Sequence, residues 1–101
     1  MGINERRDND NIFLDQWKHT FTASETIDVT AVKFTEFNEI CNLQSYSSAA
    51  ITLLILTPGF TAAKTITPMA GEFLVIAETD IETISVTATS GATVRLIASG
   101  K

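Results

Sequence analysis

Residues 83–89 and 93–99 alternate between polar and apolar side chains, and this period of two is what most limits the fold. Ile84, Val86 and Ala88 alternate with Thr83, Ser85, Thr87 and Thr89. Val94, Leu96 and Ala98 alternate with Thr93, Arg95 and Ser99, with Ile97 as an apolar exception on the outer face. The same spacing recurs at Ile27, Val29 and Ala31, set against Thr26, Asp28 and Thr30. In an extended strand this spacing sends one set of side chains to a core and the other to water. The hydroxyl residues agree: 15 Thr and 7 Ser occur among 101 residues. Threonine's branched Cβ suits a pleated surface, and its hydroxyl keeps an outer face wettable.

Turn signals fall at short intervals between such segments. Thr57-Pro58-Gly59 ends an apolar strand, and Pro68-Met69-Ala70-Gly71 precedes another. Glu78-Thr79-Asp80 reads as a loop, and Ser90-Gly91 as a tight link of the hairpin kind. The predicted strands are Thr20–Thr22, Thr26–Phe34, Glu39–Leu43, Ala50–Leu56, Lys64–Thr67, Glu72–Ala77, Glu82–Thr89 and Ala92–Ser99. Seven or eight short strands without a long amphipathic helix imply an all-β fold. The expected architecture is a small antiparallel β-sandwich, jelly-roll or Ig-like, with an extended N-terminal arm.

The arm is read as residues 1–18 and the sandwich as residues 19–101. Residues 1–18 hold seven charged side chains of both signs around Phe13, Leu14 and Trp17. Burying such large apolar groups is worth about 1.5–3 kcal/mol each. The arm is therefore expected to dock on a neighbour through Phe13, Leu14 and Trp17, with Arg6 and Arg7 contacting carboxylates. A frayed terminus is the alternative. Two strands break the alternation. Ile51–Leu56 and Phe73–Ala77 are apolar on both faces, and between Glu39 and Glu72 only Lys64 is charged. Either these are central strands with covered second faces, or the second faces meet another subunit. The expected oligomer interface comprises Ile51, Leu53, Leu54, Leu56, Phe73 and Val75.

Candidate chemistry is sparse. His19 is the only histidine and nothing in sequence pairs it with a nucleophile; no GxSxG elbow is present. Cys41 is the only cysteine, which excludes an internal disulfide and fits synthesis in a reducing cytoplasm. No zinc-ligand spacing or phosphate-binding loop occurs, so no metal site, cofactor or catalytic residue is assigned. Glu78, Asp80 and Glu82 crowd one segment but lack the EF-hand spacing. A net charge of −5 with no basic patch argues against a nucleic-acid partner. The longest apolar stretch, Ile51–Leu56, is far short of the roughly 20 residues of a membrane helix, and the first 17 residues have no signal-peptide core.

The C-terminal half also carries a cadence of strands and turns. Asn42-Leu43-Gln44-Ser45 leads to an apolar strand, and Pro68-Met69-Ala70-Gly71-Glu72 opens another. Asp80–Ala88 and Ser90–Ala98 follow. Over about residues 38–101 this resembles the small β-sandwich virion proteins of tailed bacteriophages, of capsid decoration (cement) or head-fibre type. The resemblance implies a non-enzymatic structural protein located in the virion, made in the host cytoplasm. It implies a homo-oligomer, often a trimer, bound to the major capsid protein or other virion proteins through an extended segment. The alternative expectation is a tail or surface module that binds carbohydrate or a receptor. That module would show an exposed aromatic patch around Tyr46, Phe60 or Trp17.

Overall fold

The computed structural model describes residues 13–101, which form eight strands and one helical turn. In chain order the elements are β1 (Phe13–Thr20), β2 (Glu25–Asp28), α1 (Val29–Val32) and β3 (Ile40–Ser47). Then come β4 (Thr52–Leu56), β5 (Lys64–Ile66), β6 (Phe73–Ile81), β7 (Thr83–Ala88) and β8 (Thr93–Gly100). They build two antiparallel four-stranded sheets, ordered β1-β8-β3-β6 and β2-β7-β4-β5. The pairings β1·β8, β2·β7, β3·β6 and β4·β5 are nested, as in one long hairpin whose tip is β4–β5. The pairings β8·β3 and β7·β4 roll that hairpin into a sandwich. This is the double-sheet jelly roll, one of the two sandwiches expected from the strand count.

The alternation in β7 and β8 is realised residue by residue. Ile84, Val86, Val94, Leu96 and Ala98 are buried between the sheets. Phe21, Phe34, Leu43 and Leu53 complete the same core. On the outer face of the β2-β7-β4-β5 sheet, Thr26, Thr87 and Thr52 lie side by side. The hydroxyls of Thr26 and Thr87 are 2.7 Å apart. Part of the threonine excess thus falls on this face, beside the half-buried Leu54 and Leu56.

Four local expectations are corrected. Ser90-Gly91 does not close a hairpin, because β7 and β8 belong to different sheets. It is a corner: Gly91 has φ +92°, and its N–H donates to the Phe21 carbonyl at 2.7 Å. The strand predicted over Thr26–Phe34 stops at Asp28, whose carboxylate caps α1. It accepts from the Ala31 N–H at 3.3 Å and from the Thr30 hydroxyl at 2.6 Å. The cap turns the chain so that Val29 and Phe34 are both buried. Glu78-Thr79-Asp80 is not a loop between strands but part of β6. A register shift opposite Ile40–Asn42 and φ +57° at Glu78 mark it as a bulge. Finally, the sandwich takes in residues 13–18, which had been read as arm, because Phe13–Thr20 pairs along its whole length with β8.

Two positions test this packing. A Cβ on Gly100 would collide with the Glu39 carbonyl oxygen and lie 2.7 Å from the Ile40 Cα. Both are backbone atoms of the chain entering β3, so neither can swing aside. Gly100→Ala is expected to cost at least about 2 kcal/mol in urea unfolding; an unchanged midpoint would show that the β8–β3 junction is loose. Ser45 is buried, and its Oγ has no partner among the described residues. An unsatisfied buried hydroxyl costs about 1–3 kcal/mol. Ser45→Ala should leave the midpoint unchanged or raise stability by about 1 kcal/mol, whereas a fall would mean that the hydroxyl is bonded.

Candidate functional site

The register of the β1-β8-β3-β6 sheet brings four chemically distinct side chains into one row on its outer face. Lys18 lies opposite Arg95, Arg95 opposite Tyr46, and Tyr46 opposite Phe73. The next row outward-facing along the strands is Gln16, Ile97, Gln44 and Val75. The third is Leu14, Ser99, Asn42 and Ala77. Neighbours in such rows have Cβ atoms roughly 4.5–5.5 Å apart, close enough to form one continuous surface. Its apolar members are left in water. Leu14 is 74% exposed, Phe73 61%, and Tyr46 and Val75 48% each.

The polar members are ordered. Arg95 Nε donates to Gln16 Oε1 at 3.1 Å, which holds the guanidinium over the sheet. Among the described residues neither Lys18 nor Arg95 has a carboxylate partner; the ion pair present is Lys33–Asp15, 3.5 Å. Two shallow hollows flank Arg95. One of about 270 Å³ lies between Tyr46, Phe73 and Ile97, and one of about 360 Å³ along Leu14 and Gln16. They share Arg95 and Ile97, which stand between them on the sheet. A larger hollow of about 570 Å³ sits at one end of the sandwich, lined by Ser24–Thr26, Ala50–Thr52, Thr67–Met69 and Thr87–Thr89. Six of its twelve lining residues carry small hydroxyls, Glu25 adds one carboxylate, and Ala50, Ile51, Pro68, Met69 and Ala88 are apolar. It holds neither a cation nor an aromatic ring, both of which the sheet face combines in Arg95, Tyr46 and Phe73.

The residues expected at an oligomer interface are divided by the fold. Phe73 and Val75 are exposed on this face. Ile51 and Leu53 are not available, because alternation along the segment turns them into the protein's own core. Leu54 and Leu56 are half-buried on the outer side of the opposite sheet, so no single contact includes all six. Of the docking residues, Trp17 is also corrected: it is 8% exposed and packs inside the sandwich. Leu14 is exposed, and Phe13 is partly exposed with its edge against Phe37 at 6.3 Å. Arg6 and Arg7 lie outside the described residues. Sequence reasoning did not place Arg95 and Ile97 in the site, and it named Tyr46 only for a sugar-binding alternative. The signal available was Ile97, the apolar exception in an otherwise strict alternation.

The chemically suggestive side chains are held apart. His19 stacks on Trp17 at 5.4 Å and meets Phe21 edge-on at 4.9 Å, so its neighbours are rings. Cys41 is half-buried and free. Among the described residues no group of three or more His, Cys, Asp or Glu side chains could hold a metal ion. No helix among them is long and apolar enough to cross a membrane.

No protein-family model matches the chain, and no curated protein matches it. Two solved structures of a Drosophila melanogaster CENP-C domain, described as a cupin domain in one, are similar in backbone. One has a TM-score of 0.53 at 11% identity, covering 87% of this chain and 58% of that one. The other has a TM-score of 0.49 at 10% identity, covering 83% and 57%. A Bacillus endospore appendage, from a family of disulfide-linked pili, matches with a TM-score of 0.44 at 16% identity over 88% of both chains. The likeness is one of fold. The chain spans less than two thirds of the length of the CENP-C chains it matches.

The division between core and surface in β1 is directly measurable. Trp17→Ala should destabilise the fold by about 3–5 kcal/mol, as expected for a large buried ring. Leu14→Ala, three residues away on the opposite face, should change stability by less than about 0.5 kcal/mol. Equal effects in thermal unfolding would refute the assignment of their faces.

Proposed function

We propose that this chain is a non-enzymatic structural subunit that works by self-association. In the finer form of this reading it is a virion protein of a tailed bacteriophage, a cement protein that decorates and stabilises the head shell. It would be made in the host cytoplasm and bind the major capsid protein. The observation that carries the reading is the outer face of the β1-β8-β3-β6 sheet, where Phe73, Tyr46, Val75 and Leu14 are exposed together. Exposed apolar groups gathered on one face mark an interaction site more often than scattered ones do. The jelly roll is compatible with this role, since viral capsid domains use it, but lectins and cupins use it too. A net charge of −5 disfavours adhesion to the packaged genome.

The test has two arms. Sedimentation at micromolar concentration is expected to give an oligomer, and Phe73→Lys with Val75→Lys is expected to give a folded monomer. A wild-type monomer would overturn self-association. For the shell, deletion of residues 1–12 removes Arg6 and Arg7 while leaving strand β1 whole. The full chain is expected to co-sediment with head shells of the phage that encodes it, and the truncated chain to stay in solution. Failure of the full chain to bind shells would overturn the virion reading and leave self-association standing.

A second reading has one observation in its favour. The Tyr46 and Phe73 rings neighbour each other on an open surface beside Gln44 and Arg95, which suits stacking on a sugar. Phe60 is also exposed, with Lys64 Nζ 5.5 Å from its ring centroid. Binding on a glycan array that Phe73→Ser abolishes would favour this module over the assembly subunit.

A further inference from the structure

The row Lys18, Arg95, Tyr46 and Phe73 is divided down its middle. Both cations sit on β1 and β8, and both aromatic rings on β3 and β6. The sheet order β1-β8-β3-β6 puts the dividing line between β8 and β3, at the centre of the four strands. We propose that a second copy of this chain packs on this face about a two-fold axis that runs parallel to the strands along that line. The proposal rests on the self-association reading above and names its geometry.

Such an axis exchanges β1 with β6 and β8 with β3, and keeps each row opposite itself. Lys18 then faces Phe73 of the other copy, and Arg95 faces Tyr46. Cations over aromatic faces attract through the ring quadrupole, more strongly as water is excluded. In the third row, Leu14 faces Ala77, and Ser99 faces Asn42. In that row apolar meets apolar and polar meets polar, whereas in the second row Gln16 faces Val75 and Ile97 faces Gln44. Lys18 and Arg95, which have no carboxylate partner among the described residues, each receive a partner. Packed sheets align within about 30° of each other, which keeps these rows in reach.

The other in-plane two-fold axis, perpendicular to the strands, fails on charge. Centred on the first row it sets Lys18 on Lys18 and Arg95 on Arg95. Centred on the second row it sets Arg95 on Ser99 and Phe73 on Ala77, which leaves both cations without an aromatic ring. Only the axis parallel to the strands thus gives both cations an aromatic partner within a two-fold contact. A contact of this kind builds even-numbered assemblies. The trimer that the phage resemblance implies needs a different, heterologous contact.

Cysteine cross-linking distinguishes these arrangements. In a Cys41→Ala background, chains carrying Leu14→Cys are mixed with chains carrying Ala77→Cys and oxidised mildly. The expected result is a mixed disulfide dimer in high yield, with little product from either variant alone. Val75→Cys by itself is expected to remain uncross-linked, because Val75 faces Gln16. Efficient cross-linking of Val75→Cys alone would overturn the proposal in favour of the perpendicular axis. A dimer by sedimentation that gives neither product would overturn this face while leaving self-association intact. A monomer by sedimentation would overturn both. As a second measurement, Arg95→Glu is expected to weaken the dimer by about tenfold or more; an unchanged dissociation constant would count against the cation–ring pairing.

Discussion

Strand β8 holds the structure together. β8 pairs with β1 on one side and with β3 on the other, so without it the β1-β8-β3-β6 sheet has no continuous ladder. Its end is locked by the backbone as well as by side chains: the Glu39 and Asn38 N–H groups both donate to the Lys101 carbonyl, at 2.7 and 2.6 Å. Gly100 passes there against the Glu39 carbonyl with no room for a side chain. Because the nested pairs join the two ends of the chain, most of the fold rests on contacts between residues distant in sequence. Closing such loops before they are rewarded makes jelly rolls slow to fold compared with helical domains of the same size.

This dependence explains which parts of the fold were legible in the sequence. Side-chain period reports the face of a strand, and β7 and β8 were read correctly to within a residue or two. Period does not report which strand is the neighbour, and so Ser90-Gly91 passed for a hairpin when it is a corner between sheets. The β1 strand was obscured because its inward positions, Asp15, Trp17 and His19, mix a charge, an indole and an imidazole. Asp15 is tolerated there because the edge of the sheet lets it reach Lys33. At Ile27, Val29 and Ala31 the alternation continued past the real end of the strand. The Asp28 cap overrode it, and a helical turn used Val29 for the same core.

The candidate site was harder to read, because one signal had two causes. Ile51–Leu56 and Phe73–Ala77 are both apolar at every or nearly every position. The first is β4, an inner strand with neighbours on both sides, and Ile51 and Leu53 are consumed by the core. The second lies in β6, an edge strand, and Phe73 and Val75 have nothing of the chain above them. The nearly uncharged span from residue 40 to 71 supplies β3 and β4, which have neighbours on both sides, but its residues 58–65 and 69–71 are exposed, so burial accounts for only part of it. The mixed row of Lys18, Arg95, Tyr46 and Phe73 draws one residue from each of four strands. It exists only once the register is known, and no local pattern could have assembled it.

The edges of that sheet and its face are treated differently, which bears on the association proposed above. A free strand edge invites pairing with another chain unless something blunts it. On β6 the bulge at Glu78 breaks the line of backbone donors and acceptors, and Glu78 and Asp80 add negative charge beside it. On β1 the inward Asp15, tied to Lys33, does the same work with a buried-side charge. The opposite sheet sets Thr26, Thr52 and Thr87 on its outer face, with the half-buried Leu54 and Leu56 beside them. The face left without such protection is the one between the two blunted edges, where Leu14, Tyr46, Phe73 and Val75 stand out. The two-fold contact proposed there would close on itself, and the blunted edges of β1 and β6 would keep it from propagating along this sheet.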